Sequence, residues 1–206
     1  NEPLPIEITR GCVYSCKFCY FDKKYSDRKN LQLLKDEFLK NYEKYGTIDY
    51  HFCDDCFNDT REKVESVCNT ILSLPFKINW VSYARADLAV KFPETYDLMV
   101  ESGAKYLMFG LETFNHEAGK LAGKGVPPEK IKNMLIETRK KHYDKCMSMA
   151  TFIIGLPKET KESQIETFNW LKENPVLDLI DLGTLSLIPV IEKVGDVVDF
   201  PDYAQN

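Results

Sequence analysis

The sequence predicts an α/β fold, an open (β/α)6 partial TIM-like barrel with parallel strands inside and helices outside. Short runs of β-branched and aromatic residues alternate six times with segments whose apolar residues recur three and four positions apart. Repeated strand–helix units need right-handed crossovers, which produce a parallel sheet covered by helices. Six units are too few to close an eight-stranded barrel. The alternative is a flat, doubly wound sheet.

The predicted strands are short apolar runs separated by helical segments. They are residues 6–9, 48–53, 78–83, 106–111, 149–154 and 180–188. In either architecture, functional side chains are expected at the carboxyl ends of the parallel strands.

Helices are predicted from apolar spacing or from a start signal. The first is marked by Leu31, Leu34, Phe38 and Tyr42, and the second by Val64, Val67, Ile71 and Leu72. Two later helices are predicted to begin after Pro127-Pro128 and after Thr160, because proline and threonine favour helix N-termini.

The whole chain, residues 1–206, is predicted to be a single domain. The barrel occupies about residues 4–190, and residues 191–206 form a C-terminal extension. A chain of 206 residues that is 44% hydrophobic can bury its own core. Because the first residue is Asn, not Met, we expect an excised core of a larger protein, whose remainder could bind the substrate.

Charge and hydropathy exclude several classes of partner. The net charge is −5, from 27 basic and 32 acidic residues, and no long basic run is present. Binding of nucleic acid through this segment is therefore not expected. No apolar stretch is long enough to span a bilayer, and the N-terminus does not resemble a signal peptide. The expected location is the cytoplasm.

Three of the seven cysteines crowd into eight residues directly after the first predicted strand. Cys12, Cys16 and Cys19 have the spacing Cys-x3-Cys-x2-Cys. Clustering of this kind indicates metal-binding thiolates in a reducing compartment, not a disulfide framework. Three thiolates can bind three irons of a [4Fe-4S] cluster and leave the fourth iron without a protein ligand. An open coordination position is typical of reactive metal sites.

Two simpler interpretations of these cysteines remain, a zinc site or a buried structural group. Zinc would need a fourth ligand, and the nearest histidine in sequence is His51. Structural cysteines would lie on an apolar face, whereas this loop carries Ser15 and Lys17. Cys53 and Cys56 form a second Cys-x2-Cys, which with His51 would still lack a fourth ligand. We interpret that pair as incidental.

The loop resembles the signature of the radical S-adenosylmethionine (SAM) superfamily, Cys-x3-Cys-x-aromatic-Cys, with Phe18 as the aromatic. The lead-in, residues 5–12, is similar to the subgroup of methylthiotransferases, Elongator-type cores and cobalamin-dependent enzymes. The resemblance covers about residues 4–190. It implies a [4Fe-4S] cluster that cleaves SAM reductively to methionine and a 5′-deoxyadenosyl radical. That radical abstracts hydrogen from an unidentified substrate, in a modification or methylation reaction.

The same resemblance implies partners and further cofactors. A reductase such as a flavodoxin or ferredoxin would supply the electron. Cobalamin would bind only through a domain that this chain lacks. The protein would be sensitive to oxygen, because a cluster with an open iron is easily oxidised.

The resemblance also implies SAM contacts at the strand ends. Phe18 would lie against the adenine, and one of Asp54 and Asp55 would accept hydrogen bonds from the SAM amino group. Arg85 suits the carboxylate of SAM or the substrate through a forked contact. Arg85 could instead pair with Asp87 to close the sheet end, and the sequence favours neither reading.

Later strands complete the implied site. Glu112 is expected to accept hydrogen bonds from the ribose hydroxyls or the methionine amine. Ile153 and Gly155 would wall the adenine, and Leu187 would contact its edge. The stretch 119–125 is rich in glycine and lysine, but it lacks the Gly-Lys-Ser/Thr ending of a phosphate loop. We interpret it as a connecting loop.

A different class of function is the alternative. A non-enzymatic iron–sulfur or zinc protein could sense redox state or transfer electrons. It would need a fourth thiolate to close the metal site, and Cys53 or Cys56 would have to supply it. The sequence identifies no general acid or base.

Overall fold

The computed structural model of the protein describes residues 2–19 and 27–186. The strands are β1 Leu4–Ile6, β2 Thr9–Arg10, β3 Asp27–Arg28, β4 Asp49–Phe52, β5 Asn79–Ala84, β6 Ala104–Glu112, β7 Met147–Ile154 and β8 Leu179–Thr184. The helices are α1 Leu31–Tyr45, α2 Arg61–Leu72, α3 Ala86–Lys91, α4 Pro93–Glu101, α5 His116–Leu121, α6 Pro128–His142 and α7 Lys161–Glu173.

Six of these strands form one parallel sheet in the order β1-β4-β5-β6-β7-β8. Within the described residues β1 and β8 are its two edges, so the sheet is open, as the count of six units predicts. The predicted α/β partial-barrel class is confirmed. A small antiparallel ribbon of β2 and β3 was not predicted, and it frames the start of the cysteine loop.

Predicted and observed elements differ mainly at their ends. The five strands predicted from residue 48 onward are found, and the last one ends at Thr184 within the described residues. The first, predicted over residues 6–9, lies earlier in the chain, at Leu4–Ile6. The Thr160 side chain caps α7 by accepting from the Ser163 amide, as its position predicts. The short helices α3, α4 and α5 have no strong apolar period and were not singled out.

The core lies between the sheet and its helices. Alternate residues of the strands are buried there, among them Trp80 of β5 and Phe52 of β4, whose rings stack with centroids 4.6 Å apart. Phe38 of α1 packs edge-on against Tyr50. On the opposite face of β5, Tyr83 is exposed. That face is therefore available to line a cavity.

A buried group of charges, here called the Lys63 cluster (Lys63, Asp54 and Asp59), fixes the chain where β1 leads into the cysteine loop. The Lys63 ammonium is fully buried, 2.9 Å from Asp54 Oδ1 and 3.6 Å from Asp59 Oδ2. Asp54 also accepts from the Ile8 amide (3.2 Å) and from the Thr9 hydroxyl. These bonds join the ends of β1 and β4.

None of the helices in the described part of the chain has the length and apolar character needed to cross a membrane.

Candidate active site

A cavity of about 440 Å³ lies at the carboxyl ends of the central strands. Seven of the residues predicted from the sequence line it: Cys12, Cys16, Phe18, Cys19, Asp55, Arg85 and Glu112. They come from four separate stretches of the chain. The parallel topology brings them together, because every strand of the sheet ends at the same edge.

The three loop cysteines are free thiols and half-buried. A turn closes with the Cys19 amide donating to the Cys16 carbonyl (3.1 Å), and the Lys17 amide donates to the Ala122 carbonyl (3.3 Å). Burial, together with the charge of Cys16, raises the pKa of the Cys12 thiol. The loop therefore presents three sulfur donors on a braced backbone.

Three thiols on one loop are donors of the type that an iron–sulfur cluster takes. In the described residues, no group of three or more His, Cys, Asp or Glu side chains is arranged to hold one metal ion. In a cubane each thiolate binds a different iron, so its sulfur ligands stand further apart than those around one ion. Cys12, Cys16 and Cys19 on the cavity wall could hold such a cluster.

The second cysteine pair splits between two environments. Cys56 is buried and lines the cavity, with its thiol 3.6 Å from the Asn58 side-chain oxygen. Burial raises the pKa of this thiol strongly. Cys53 is exposed and does not line the cavity; its thiol lies 3.6 Å from the His51 carbonyl. The two cysteines do not act as a joint metal site in this arrangement.

The adjacent aspartates have different surroundings. Asp54 is 1% exposed, belongs to the Lys63 cluster and does not line the cavity. Asp55 is exposed on the cavity wall, where partial desolvation by its neighbours raises the pKa of its carboxyl although the charge of Lys63 acts to lower it. Of the pair, only Asp55 can meet a ligand without breaking the Lys63 cluster.

Glu112 ends β6 in an unusual backbone conformation. Its φ is 68°, and the pairing of β6 with β7 shifts register between Gly110 and Glu112. Positive φ in a residue other than glycine costs free energy and concentrates at functional sites. The conformation turns the carboxylate into the cavity. A Cβ on Gly110 would stand 2.5 Å from Glu112 Oε1, so a side chain there would displace the Glu112 carboxylate from its present position.

Lys124 pairs with Glu112 in the cavity, although no role was predicted for it. Its ammonium lies 3.6 Å from Glu112 Oε1 and donates to the Gly110 carbonyl (2.9 Å). Thr151 donates to the other carboxylate oxygen (3.3 Å). Burial raises the pKa of Glu112, and Lys124 and Thr151 oppose the shift. A cation and an anion therefore stand side by side on one wall.

Each nitrogen of the Arg85 guanidinium already donates a hydrogen bond within the protein. Its Nε and Nη2 donate to the two oxygens of Asp87 (2.9 and 2.7 Å), and Nη1 donates to Cys16 Sγ (3.2 Å). Burial alone would lower the pKa of Arg85, but the bonds and charge of Asp87 raise it. The Arg–Asp pair that the sequence left open is present.

Of the residues predicted to contact the adenine, Phe18 lines the cavity. Phe18 and Ile153 pack against one small apolar cluster formed by Ala118, Ala122 and Leu156. Gly155 has φ 92°, and a Cβ there would meet only Leu185 at 4.0 Å, so it is the backbone turn that requires glycine. Leu187 lies outside the described residues.

The fold and cavity define an open parallel α/β barrel with three clustered thiols at the carboxyl ends of its strands. The chain belongs to the radical SAM superfamily, whose family model matches residues 6–171. The resemblance drawn from the cysteine loop is therefore confirmed. The [4Fe-4S] cluster and SAM that the sequence led us to expect are the cofactors of this superfamily.

Individual relatives are distant. An uncharacterized methyltransferase of Pyrococcus horikoshii is 26% identical over 83% of this chain and 37% of its own length. The cobalamin-dependent radical enzyme OxsB, solved with aqua-cobalamin and SAM, has a TM-score of 0.71 at 19% identity, covering 98% of this chain and 29% of its own. The methyltransferase TsrM from Kitasatospora setae, solved with cobalamin and a [4Fe-4S] cluster, has a TM-score of 0.73 at 18% identity, covering 90% and 35%. This chain thus spans less than half of each.

Proposed function

We propose that Cys12, Cys16 and Cys19 bind a [4Fe-4S] cluster whose fourth iron is left to SAM. The observation that carries this proposal is that the three cysteines line one cavity together with Glu112, Asp55 and Lys124. When bound, the cluster would deliver an electron to SAM, yielding methionine and a 5′-deoxyadenosyl radical. The residues around it bind and orient SAM and exclude water.

Three charged residues of the cavity, Glu112, Asp55 and Lys124, here called the charged wall, supply the contacts for the methionine part of SAM. Glu112 and Asp55 accept hydrogen bonds from the ammonium or the ribose hydroxyls, and Lys124 donates to the carboxylate. Because Lys124 and Glu112 lie 3.6 Å apart, one amino-acid group can reach both. When SAM binds, Glu112 and Lys124 give up their contact with each other. Glu112 then contacts the SAM ammonium, and Lys124 contacts the SAM carboxylate.

The apolar residues supply the other end of the site. Phe18 and Ile153 wall the adenine, and Gly155 turns the strand end beside them. Leu187 remains a sequence prediction for the adenine edge. Tyr83 and Met108 line the cavity on β5 and β6, where the substrate would meet the radical.

The relatives guide our proposal for the reaction class and for the further cofactor. We assign the substrate reaction to the modification class, with methylation preferred because several relatives carry methyltransferase names. Cobalamin would bind only through a part of the protein outside this chain. A flavodoxin- or ferredoxin-type reductant, an oxygen-sensitive cluster and a cytoplasmic location fit three thiolates that must stay free.

SAM cleavage tests this function. Protein reconstituted anaerobically with iron and sulfide and reduced with dithionite should convert SAM to 5′-deoxyadenosine, measured by liquid chromatography. About four irons per chain should accompany the activity. If the iron-loaded, reduced protein leaves SAM intact, the chain is not a SAM-cleaving enzyme.

The charged wall gives a prediction for SAM affinity. Glu112→Gln and Lys124→Met should each weaken SAM binding about 10- to 100-fold, since a hydrogen bond to a charged group contributes roughly 1.5–3 kcal/mol. Affinity of the parent protein should also fall toward acid pH, because burial raises the pKa of Glu112 and protonation removes its charge. The Gln variant should lack that part of the pH dependence.

Equilibrium dialysis with labelled SAM measures these affinities, and Glu117→Gln is the matched control. Glu117 lies on α5, where its side chain is 69% exposed and pairs with Lys120 outside the cavity. Its substitution should leave SAM binding unchanged. Parent-like affinity in both cavity variants would remove Glu112 and Lys124 from the SAM site.

A further inference from the structure

Arg85 stands between the strand end and the cysteine loop, in direct contact with one of the proposed cluster ligands. It follows β5 and is 6% exposed. Its Nη1 donates to Cys16 Sγ over 3.2 Å. An arginine within bonding distance of a prospective iron ligand can act on the metal without touching it.

Three other groups hold this guanidinium in place, and a fourth fixes the backbone of Arg85. Asp87 takes the Nε and Nη2 edge through two bonds, and Nη2 also reaches the Gly123 carbonyl at 3.5 Å. The guanidinium carbon lies 3.9 Å from the centre of the Tyr14 ring. Asn58 bonds both the amide and the carbonyl of Arg85. Turning to an incoming carboxylate would break the paired contact with Asp87.

These contacts distinguish two roles for Arg85. A SAM carboxylate would need the planar fork of two parallel N–H groups, and Asp87 already occupies a fork. The remaining nitrogen, Nη1, faces the sulfur of Cys16. The Arg85 cation is therefore preorganised toward Cys16, with its orientation set by Asp87 and Tyr14.

We infer that Arg85 is a positioning residue that donates a charge-assisted hydrogen bond to the iron-bound thiolate of Cys16 and raises the reduction potential of the cluster. The inference rests on the proposed cluster ligands. Hydrogen bonds to the sulfurs and local charge are among the factors that set cluster potentials. Reduction adds a negative charge, which a nearby buried cation stabilises.

The test is an EPR-monitored redox titration of reconstituted protein without SAM. In Arg85→Met and in Arg85→Gln, which is also uncharged, the midpoint should become more negative. At the parent midpoint we expect the ratio of reduced to oxidised cluster to fall about tenfold, equivalent to about 59 mV for one electron. Arg85→Lys keeps the charge but not the paired geometry, and its shift should be smaller.

Arg139→Met is the matched control. Arg139 of α6 pairs with Asp178 over 2.7 Å and does not line the cavity, so loss of its charge should not move the midpoint. A parent-like midpoint in either neutral variant overturns the inference, and weaker SAM binding in that variant would assign Arg85 to the carboxylate. Loss of the cluster from both neutral variants also overturns it, by making Arg85 an assembly residue.

The parent protein separates this inference from the proposed function. If it assembles no cluster, the ligand assignment fails. If it assembles one whose potential is indifferent to Arg85, only the role of Arg85 fails.

Discussion

Cys16→Ala is expected to abolish both cluster binding and SAM cleavage. The substitution removes one of three thiolates, and it removes the one that Arg85 contacts. Two remaining thiolates leave two irons without protein ligands, so a stable [4Fe-4S] cluster should not form. Iron should fall from about four per chain to background, and no 5′-deoxyadenosine should appear. Iron analysis and product chromatography on anaerobically reconstituted protein measure both effects.

Cys53→Ala is the control for this substitution, because Cys53 is an exposed cysteine that does not line the cavity. It should keep the iron content and the SAM cleavage of the parent. A Cys16→Ala protein with parent-like iron and activity would contradict the ligand assignment. Loss of iron in Cys53→Ala would instead favour the metal site closed by a fourth thiolate.

Lys63→Met is expected to cause the largest loss of stability. The methionine fills a similar volume but leaves Asp54 and Asp59 facing each other in the core without a cation. Removing one partner of a buried ion pair costs about 3–5 kcal/mol. The same change removes the cation that holds Asp54, whose carboxylate accepts from Ile8 and Thr9 just before the cysteine loop. Urea unfolding of the cluster-free protein measures the cost.

Two comparisons isolate the buried charge as the cause. Lys140→Met alters a pair with Glu137 in which both side chains are mostly exposed, and it should change the free energy of unfolding by less than about 1 kcal/mol. Adding Asp54→Asn to Lys63→Met should recover part of the loss, since it removes one uncompensated charge. A loss as small as that of Lys140→Met would show that the Lys63 cluster does not stabilise the fold.

The sequence predicted the features that depend on local pattern. Alternating strands and helices fix the parallel sheet, and the cysteine spacing places three thiols on one loop after β1. Residues at strand ends, such as Glu112 and Arg85, could be predicted for the site because parallel strands end at one edge. The same reasoning could not separate Asp54 from Asp55. Which one faces the cavity depends on Lys63, a helix residue nine positions further along the chain than Asp54.

Lys124 shows a second limit of sequence reasoning. It stands in a glycine-rich connection, and nothing in its local pattern indicates that its ammonium reaches β6. Only the fold brings it to Glu112 and the Gly110 carbonyl. The sole hint was a lysine between Gly123 and Gly125, which a connecting loop explains equally well. The role of Arg85 is similar, because its contact with Cys16 joins residues 69 positions apart.

The central claim is that the fourth iron of the cluster has no protein ligand and binds SAM. It is tested most directly by EPR and electron–nuclear double resonance of the reduced, reconstituted protein with labelled SAM. We expect the cluster spectrum to change when SAM is added, and couplings to appear from ¹⁵N in the ammonium and ¹⁷O in the carboxylate of its methionine part. An unchanged spectrum without couplings, together with a shift caused by Cys56→Ser, would show that a side chain of the protein holds the fourth iron. That result would contradict the proposed SAM cleavage.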